Sequence, residues 1–218
     1  MELHFDHELT HLKEMLLRMA ALAEQSVADA LKALVERDDE LARKVDMEDV
    51  QLDRMEIDVD REGVQLIALR QPKAGDLRFI VVAMKVATEL ERIGDQAVTI
   101  AHRSRELASE PPVKPLVDIP QMAAIVQKMT HDVLDAFVYI KPDLAREVIT
   151  RDNEVDKLRE QVHRDLTELM VKDPSTITRA LNLMTVARKL ERIGDHATNL
   201  AEDVVYLYEA RDIRHQTE

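Results

Sequence analysis

The sequence predicts an all-α protein made of two homologous, antiparallel three-helix bundles related by internal duplication. Three observations carry this. The stretch Met84-Lys-Val-Ala-Thr-Glu-Leu-Glu-Arg-Ile-Gly-Asp-Gln-Ala97 returns one hundred positions later as Met184-Thr-Val-Ala-Arg-Lys-Leu-Glu-Arg-Ile-Gly-Asp-His-Ala197, with Leu-Glu-Arg-Ile-Gly-Asp identical in both. Apolar residues recur at helical spacing through most of the chain. Only 4 glycines and 7 prolines interrupt 218 residues, too few for a sheet-rich fold.

The first helix is expected over about Asp6 to Glu36, on the stripe Leu12, Leu16, Met19, Ala23, Val27, Ala30 and Leu34. Arg37-Asp38-Asp39 interrupts it, and Asp38 has the side chain of an N-cap for the second helix. That helix runs through Leu41, Val45, Leu52, Ile57, Val64 and Leu69 to the break at Pro72 to Gly75. The third helix bears the first copied stretch and frays near Ser109; its seam, Ile80, Ala83, Ala87, Leu90, Gly94, Ala97 and Ala101, is spaced alternately by 3 and 4. A glycine inside a helix costs about 1 kcal/mol relative to alanine. Gly94 and Gly194 on the seam therefore imply close approach by a neighbouring helix.

Four prolines between Ser109 and Pro120 mark a linker. The domains are read as 1–110, a proline-rich linker at 111–120, and 121–218, the second set of helices covering roughly 121–140, 142–172 and 174–211. Leu41-Ala-Arg43 recurs as Leu144-Ala-Arg146, and Asp49 and Asp53 recur as Asp152 and Asp156, all 103 positions on. The offset of 100 at Met84 places a three-residue length change in the hairpin near Pro72 or Pro174, where it is tolerated.

With 43 acidic against 30 basic residues the net charge is -13, which repels nucleic acid and anionic lipid and favours cations or a basic partner. There is no cysteine, so disulfides and thiolate metal sites are excluded. The start, Met1 to Asp6, lacks the character of a signal peptide, and the longest uncharged apolar run, Phe79 to Met84, is too short to span a bilayer. The expectation is a soluble cytoplasmic protein that meets membranes only through partners.

Counting from each interhelical turn gives relative height at about 1.5 Å per residue. Asp53 and Asp49 lie 20 and 24 residues before Lys73, and Glu91 and Asp95 lie 18 and 22 after it. Asp156 and Asp152 lie 17 and 21 before Asp173, and Glu191 and Asp195 lie 18 and 22 after it. Each half thus brings two carboxylate pairs to nearly one level on neighbouring helices. Such a donor set suits hard or borderline cations rather than copper or structural zinc, and a cation would relieve the like-charge repulsion. The bland alternative is a solvated acidic face. Glu56 and Asp60 extend the first acidic stripe, and His163, His196, Asn199, Glu202 and Asp203 are candidates to extend the second. Arg92 and Arg192 are expected to pair with the carboxylates or to meet a partner.

At these residues the chain resembles the PhoU family. The matching features are Leu90–Asp95 and Leu190–Asp195, the pairs Asp49-x-x-x-Asp53 and Asp152-x-x-x-Asp156, the triplet Asp76-Leu-Arg78 and the tail Asp212-Ile-Arg-His215. The resemblance implies a non-enzymatic negative regulator of phosphate uptake and of the phosphate-starvation response. It implies homodimers, contact with the ATPase subunit of the phosphate ABC transporter and contact with the phosphate sensor histidine kinase. It also implies metal on the acidic motifs: iron, manganese, magnesium or zinc, held by Asp49, Asp53, Glu91, Asp95, Asp152, Asp156, Glu191 and Asp195. The second half departs from the first, with Thr176-Ile-Thr178 for Asp76-Leu-Arg78 and Arg159 and His163 for Glu56 and Asp60. The two sites are accordingly expected to differ. Two other functions compete. One is a carboxylate-bridged di-metal oxidase, on the Glu-x-x-His spacing of Glu8 to His11 and Glu160 to His163; the other is a metal-free helical scaffold.

Overall fold

A computed structural model describes residues 2–113 and 118–214. The chain forms α1 (Glu2–Glu36), α2 (Asp39–Arg70), α3 (Ala74–Ala108), α4 (Asp118–Tyr139), α5 (Pro142–Lys172) and α6 (Ile177–Glu209), with a short 3-10 turn at Pro174–Thr176. No strand occurs among the described residues. Helices α1 to α3 pack on one another as one lobe and α4 to α6 as the other, and α3 and α6 run together along the middle.

The turns follow from local chemistry. Asp38 accepts hydrogen bonds from the amides of Glu40 (2.9 Å) and Leu41 (3.1 Å), satisfying donors that the first turn of α2 leaves without partners. Asp173 does the same for Ser175, and Pro142 sits in the first turn of α5. Helix α4 starts at Asp118, so Pro120 stands inside its first turn rather than in the linker. A proline costs little there, because first-turn amides have no intrahelical acceptor. Helix α1 starts four residues earlier than the stripe indicated, and the Pro174 turn delays α6 to Ile177.

The expected seam of α3 is buried throughout, as is that of α1. In α2 the register differs from the expectation. Val45, Leu52, Val59 and Leu66 face the core, while Ile57, Val64 and Leu69 are exposed at 56%, 57% and 65%. Two heptad rows run along this helix, Val45-Leu52-Val59-Leu66 and Val50-Ile57-Val64. Period alone cannot choose between two rows of equal spacing; the helices they meet decide.

The lobes are joined by apolar packing and by polar pairs across the centre. Lys85 bridges to Asp203 (2.9 Å), Lys189 donates to Gln96 (2.9 Å), and Phe79 stacks on Phe137 with ring centroids 6.0 Å apart. Glu89, nearly buried, meets His196 Nδ1 at 2.7 Å and accepts from Asn199 at 3.2 Å. Burial opposes its ionisation, but these two partners outweigh burial and hold its pKa below the usual carboxylate value.

Candidate functional site

Each lobe presents a carboxylate patch on the face shared by its last two helices: α2 with α3, and α5 with α6. In the first lobe Asp49 stands opposite Gly94. A Cβ placed on Gly94 would lie 3.4 Å from Asp49 Oδ1 and 2.5 Å from Leu52 Cδ1. The glycine lets α2 approach and seats the Asp49 carboxylate against bare backbone. Oδ1 of Asp49 is buried there with no hydrogen-bond partner, an uncommon state for a carboxylate oxygen. The second lobe repeats the contact: a Cβ on Gly194 would lie 3.4 Å from Asp152 Oδ1.

The electrostatics show which side chains share a site. Burial, then the charges of Asp53, Asp95 and Asp46, pushes the Asp49 pKa up to about 6. Burial, then Asp95, Glu56, Asp53 and Asp49, pushes Glu91 up to about 7. In the second lobe burial, then Asp195, Asp156 and Glu191, pushes Asp152 up to about 6. The four carboxylates picked from the sequence in each lobe therefore lie within one another's fields, and Glu56 joins the first group. Among the described residues, no three acidic or imidazole groups stand close enough together to hold a metal ion as they are placed. The donor chemistry fits a hard cation: oxygen ligands only, one of them a buried carboxylate oxygen lacking a donor.

Other candidates lie elsewhere. His196, Asn199 and Asp203 do not extend the second patch; they bond Glu89 and Lys85 of α3 across the lobe boundary. Arg92 pairs with Glu89 at 3.2 Å rather than with Glu91 or Asp95, whereas Arg192 pairs with Asp195 at 3.1 Å. Arg159 meets Glu191 at 3.4 Å, so the second patch carries two guanidinium partners. The Glu-x-x-His motifs do not share a core. Glu8 belongs to the first lobe and is held by Arg70 at 2.6 Å, while Glu160 and His163 are on α5. The tail residue His215 lies outside the described residues. The sequence pattern does not mark the Glu89–His196–Asn199 cluster as an interlobe link. Its only signal in the sequence is that positions 89 and 196 flank the two copied seams.

An internally duplicated helical protein, each lobe bearing an acidic patch beside a helix glycine, is the class that fold and site define together. The comparisons with known proteins give it a family. The PhoU domain model matches twice, at residues 16–104 and 119–204. A phosphate-specific transport system accessory protein PhoU homolog from Aquifex aeolicus is 43% identical over 209 residues, covering 96% of this chain and 95% of that one. The crystal structure of PhoU from Pseudomonas aeruginosa superposes with a TM-score of 0.92 at 41% identity, covering 95% of this chain and all of that one. The phosphate transport system regulatory protein PhoU from Streptococcus pneumoniae gives a TM-score of 0.88 at 26% identity, with 96% and 99% covered. The chain belongs to the PhoU family.

Proposed function

We propose that the protein is an accessory, regulatory component of phosphate-specific transport. It restrains uptake and the phosphate-starvation response by contacting the transporter's ATPase subunit and the phosphate sensor histidine kinase. The observation that carries this reading is the family domain matched in both lobes, over nearly the whole length of relatives described as phosphate-transport accessory proteins. In this reading the protein works in the cytoplasm as a homodimer. It acts by contact rather than by catalysis, and no helix among the described residues is long and apolar enough to cross a membrane. A tagged copy recovered from phosphate-replete cells should bring down the ATPase subunit or the kinase. Recovery of neither, at normal expression of both, would remove the adaptor role.

The same reading gives the acidic patches a divalent or trivalent cation, iron, manganese, magnesium or zinc. Asp49, Asp53, Glu91 and Asp95 would hold it in one lobe and Asp152, Asp156, Glu191 and Asp195 in the other. The bound cation would neutralise the crowded carboxylates and fix α2 to α3 and α5 to α6. The support is the partnerless buried oxygen of Asp49 and the shared field of each set. A metal-free scaffold is the second reading, favoured by the spacing of the carboxylates as they stand. Elemental analysis of the purified protein separates the two.

A further inference from the structure

The largest chemical difference between the lobes lies beside the second acidic patch. A groove of about 520 Å³ opens between α5 and α6, rimmed by Arg159, His163, Arg188 and Arg192. One wall is apolar, formed by Leu181, Met184 and Val162. The corresponding positions of the first lobe are Glu56, Asp60, Thr88 and Arg92. Two arginines and a histidine therefore replace two acids and a threonine on the same scaffold.

The rim is not used up internally. Arg159 pairs with Glu191 through its buried Nε at 3.4 Å, a contact that falls short of hydrogen-bond geometry. Arg192 is held by Asp195 at 3.1 Å. Arg188 and the His163 side chain are exposed, and neither has a hydrogen bond or ion pair. Against one lining carboxylate, Glu191, stand three guanidinium groups, in a chain whose overall charge is -13. A local reversal of sign in a strongly acidic protein attracts only anions that reach it closely, since the long-range field repels them. Guanidinium forks match phosphoryl oxygens with two parallel hydrogen bonds. The groove falls within the size range of small-molecule sites, which pair an apolar wall with a few polar anchors. Inorganic phosphate would leave the apolar wall bare, whereas a phosphorylated molecule with a flat apolar body would cover both parts.

We propose that the α5–α6 groove of the second lobe binds a phosphorylated small molecule of nucleotide size, its phosphates on Arg188, Arg159 and His163 and its base against Leu181 and Met184. The groove adjoins the second cation patch through Glu191 but does not depend on the cation reading, and a chelating buffer keeps the two tests apart. The test is calorimetric titration of ATP into the full-length protein with EDTA at low salt, with inorganic phosphate and a polyglutamate peptide titrated separately. ATP should bind with a sub-millimolar Kd that weakens with added salt. Arg188→Thr, an exposed and unpaired position, should weaken it about tenfold. Arg159→Glu with His163→Asp and Arg188→Thr, which installs the first lobe's own residues, should abolish it while the helical circular dichroism persists. The proposal fails if ATP gives no binding at millimolar concentration, or if the triple variant binds it unchanged. Phosphate binding as tightly as ATP would overturn the nucleotide assignment, and so would binding of the peptide but not of ATP.

Discussion

In the first lobe Glu91 looks across at Glu56; in the second the matching Glu191 looks across at Arg159, 3.4 Å away. Beside them Arg92 turns to Glu89 at the lobe boundary, while Arg192 turns to its own Asp195. One scaffold thus carries an acidic patch with no guanidinium partner among these pairs and a second patch already half neutralised from within. Duplication preserved the four carboxylates but not their counter-charges. A cation gains most where no guanidinium competes, so the first lobe should be the tighter site.

The largest expected effect tests that ranking. Glu91→Ala with Asp95→Ala should lower first-lobe cation affinity about 100-fold, more than Glu191→Ala with Asp195→Ala lowers that of the second. Elemental analysis after graded chelation reads this, and equal losses would erase the contrast. Exchanging Glu56→Arg for Arg159→Glu should carry the tighter site to the other lobe.

The glycines differ next. Gly94→Ala drives a Cβ to 2.5 Å from Leu52 Cδ1, a fully buried side chain. It should cost about 1–2 kcal/mol, overpacking outweighing the gain in helix propensity. Gly194→Ala meets nothing nearer than 3.4 Å and should be neutral or stabilising by up to about 1 kcal/mol. Urea denaturation of the two variants gives the comparison directly.

Protonation follows. Asp49, Asp152 and Glu91 have folded pKa values raised to about 6, 6 and 7. A carboxylate whose pKa is raised by folding binds its proton more tightly in the folded state. The metal-free protein should therefore be more stable near pH 5 and lose stability as pH rises through 6 to 7. Thermal melts in EDTA should show this fall, and a divalent cation should reverse it above pH 7. Glu91→Gln should remove part of the fall.

The smallest effect concerns the hairpins. Arg37 and Ile140, at equivalent places before α2 and α5, are both left-handed, with φ of 61° and 58°. A β-branched residue is costly there, so Ile140→Gly should stabilise by about 1 kcal/mol. Arg37→Gly should gain nothing, because the Arg37 guanidinium also donates to the carbonyls of Leu107 and Glu110.

The six helices and the shared level of the four carboxylates in each lobe could be read from the chain, but not which further residues join them. Heptad spacing and a repeated motif constrain helices strongly, and antiparallel hairpins turn sequence distance into height. The second helix was legible as a helix but not in its facing, since Val50-Ile57-Val64 repeats like the buried row. The lobe boundary was not legible. Whether His196 turns toward its own patch or toward Glu89 depends on how α3 and α6 pack, and that contact joins residues 107 positions apart.

The identical hexapeptide has a meaning that a single binding site cannot supply. Successive helical residues are rotated by about 100°, so six of them circle the axis more than once. In the first copy Leu90 and Ile93 point into the hydrophobic interior, Gly94 admits Leu52, Glu91 and Asp95 face the acidic group, and Arg92 holds the boundary residue Glu89. The motif is a cross-section through the whole molecule. Its six letters answer to four different neighbours, so a search for this signature selects an entire architecture rather than a ligand.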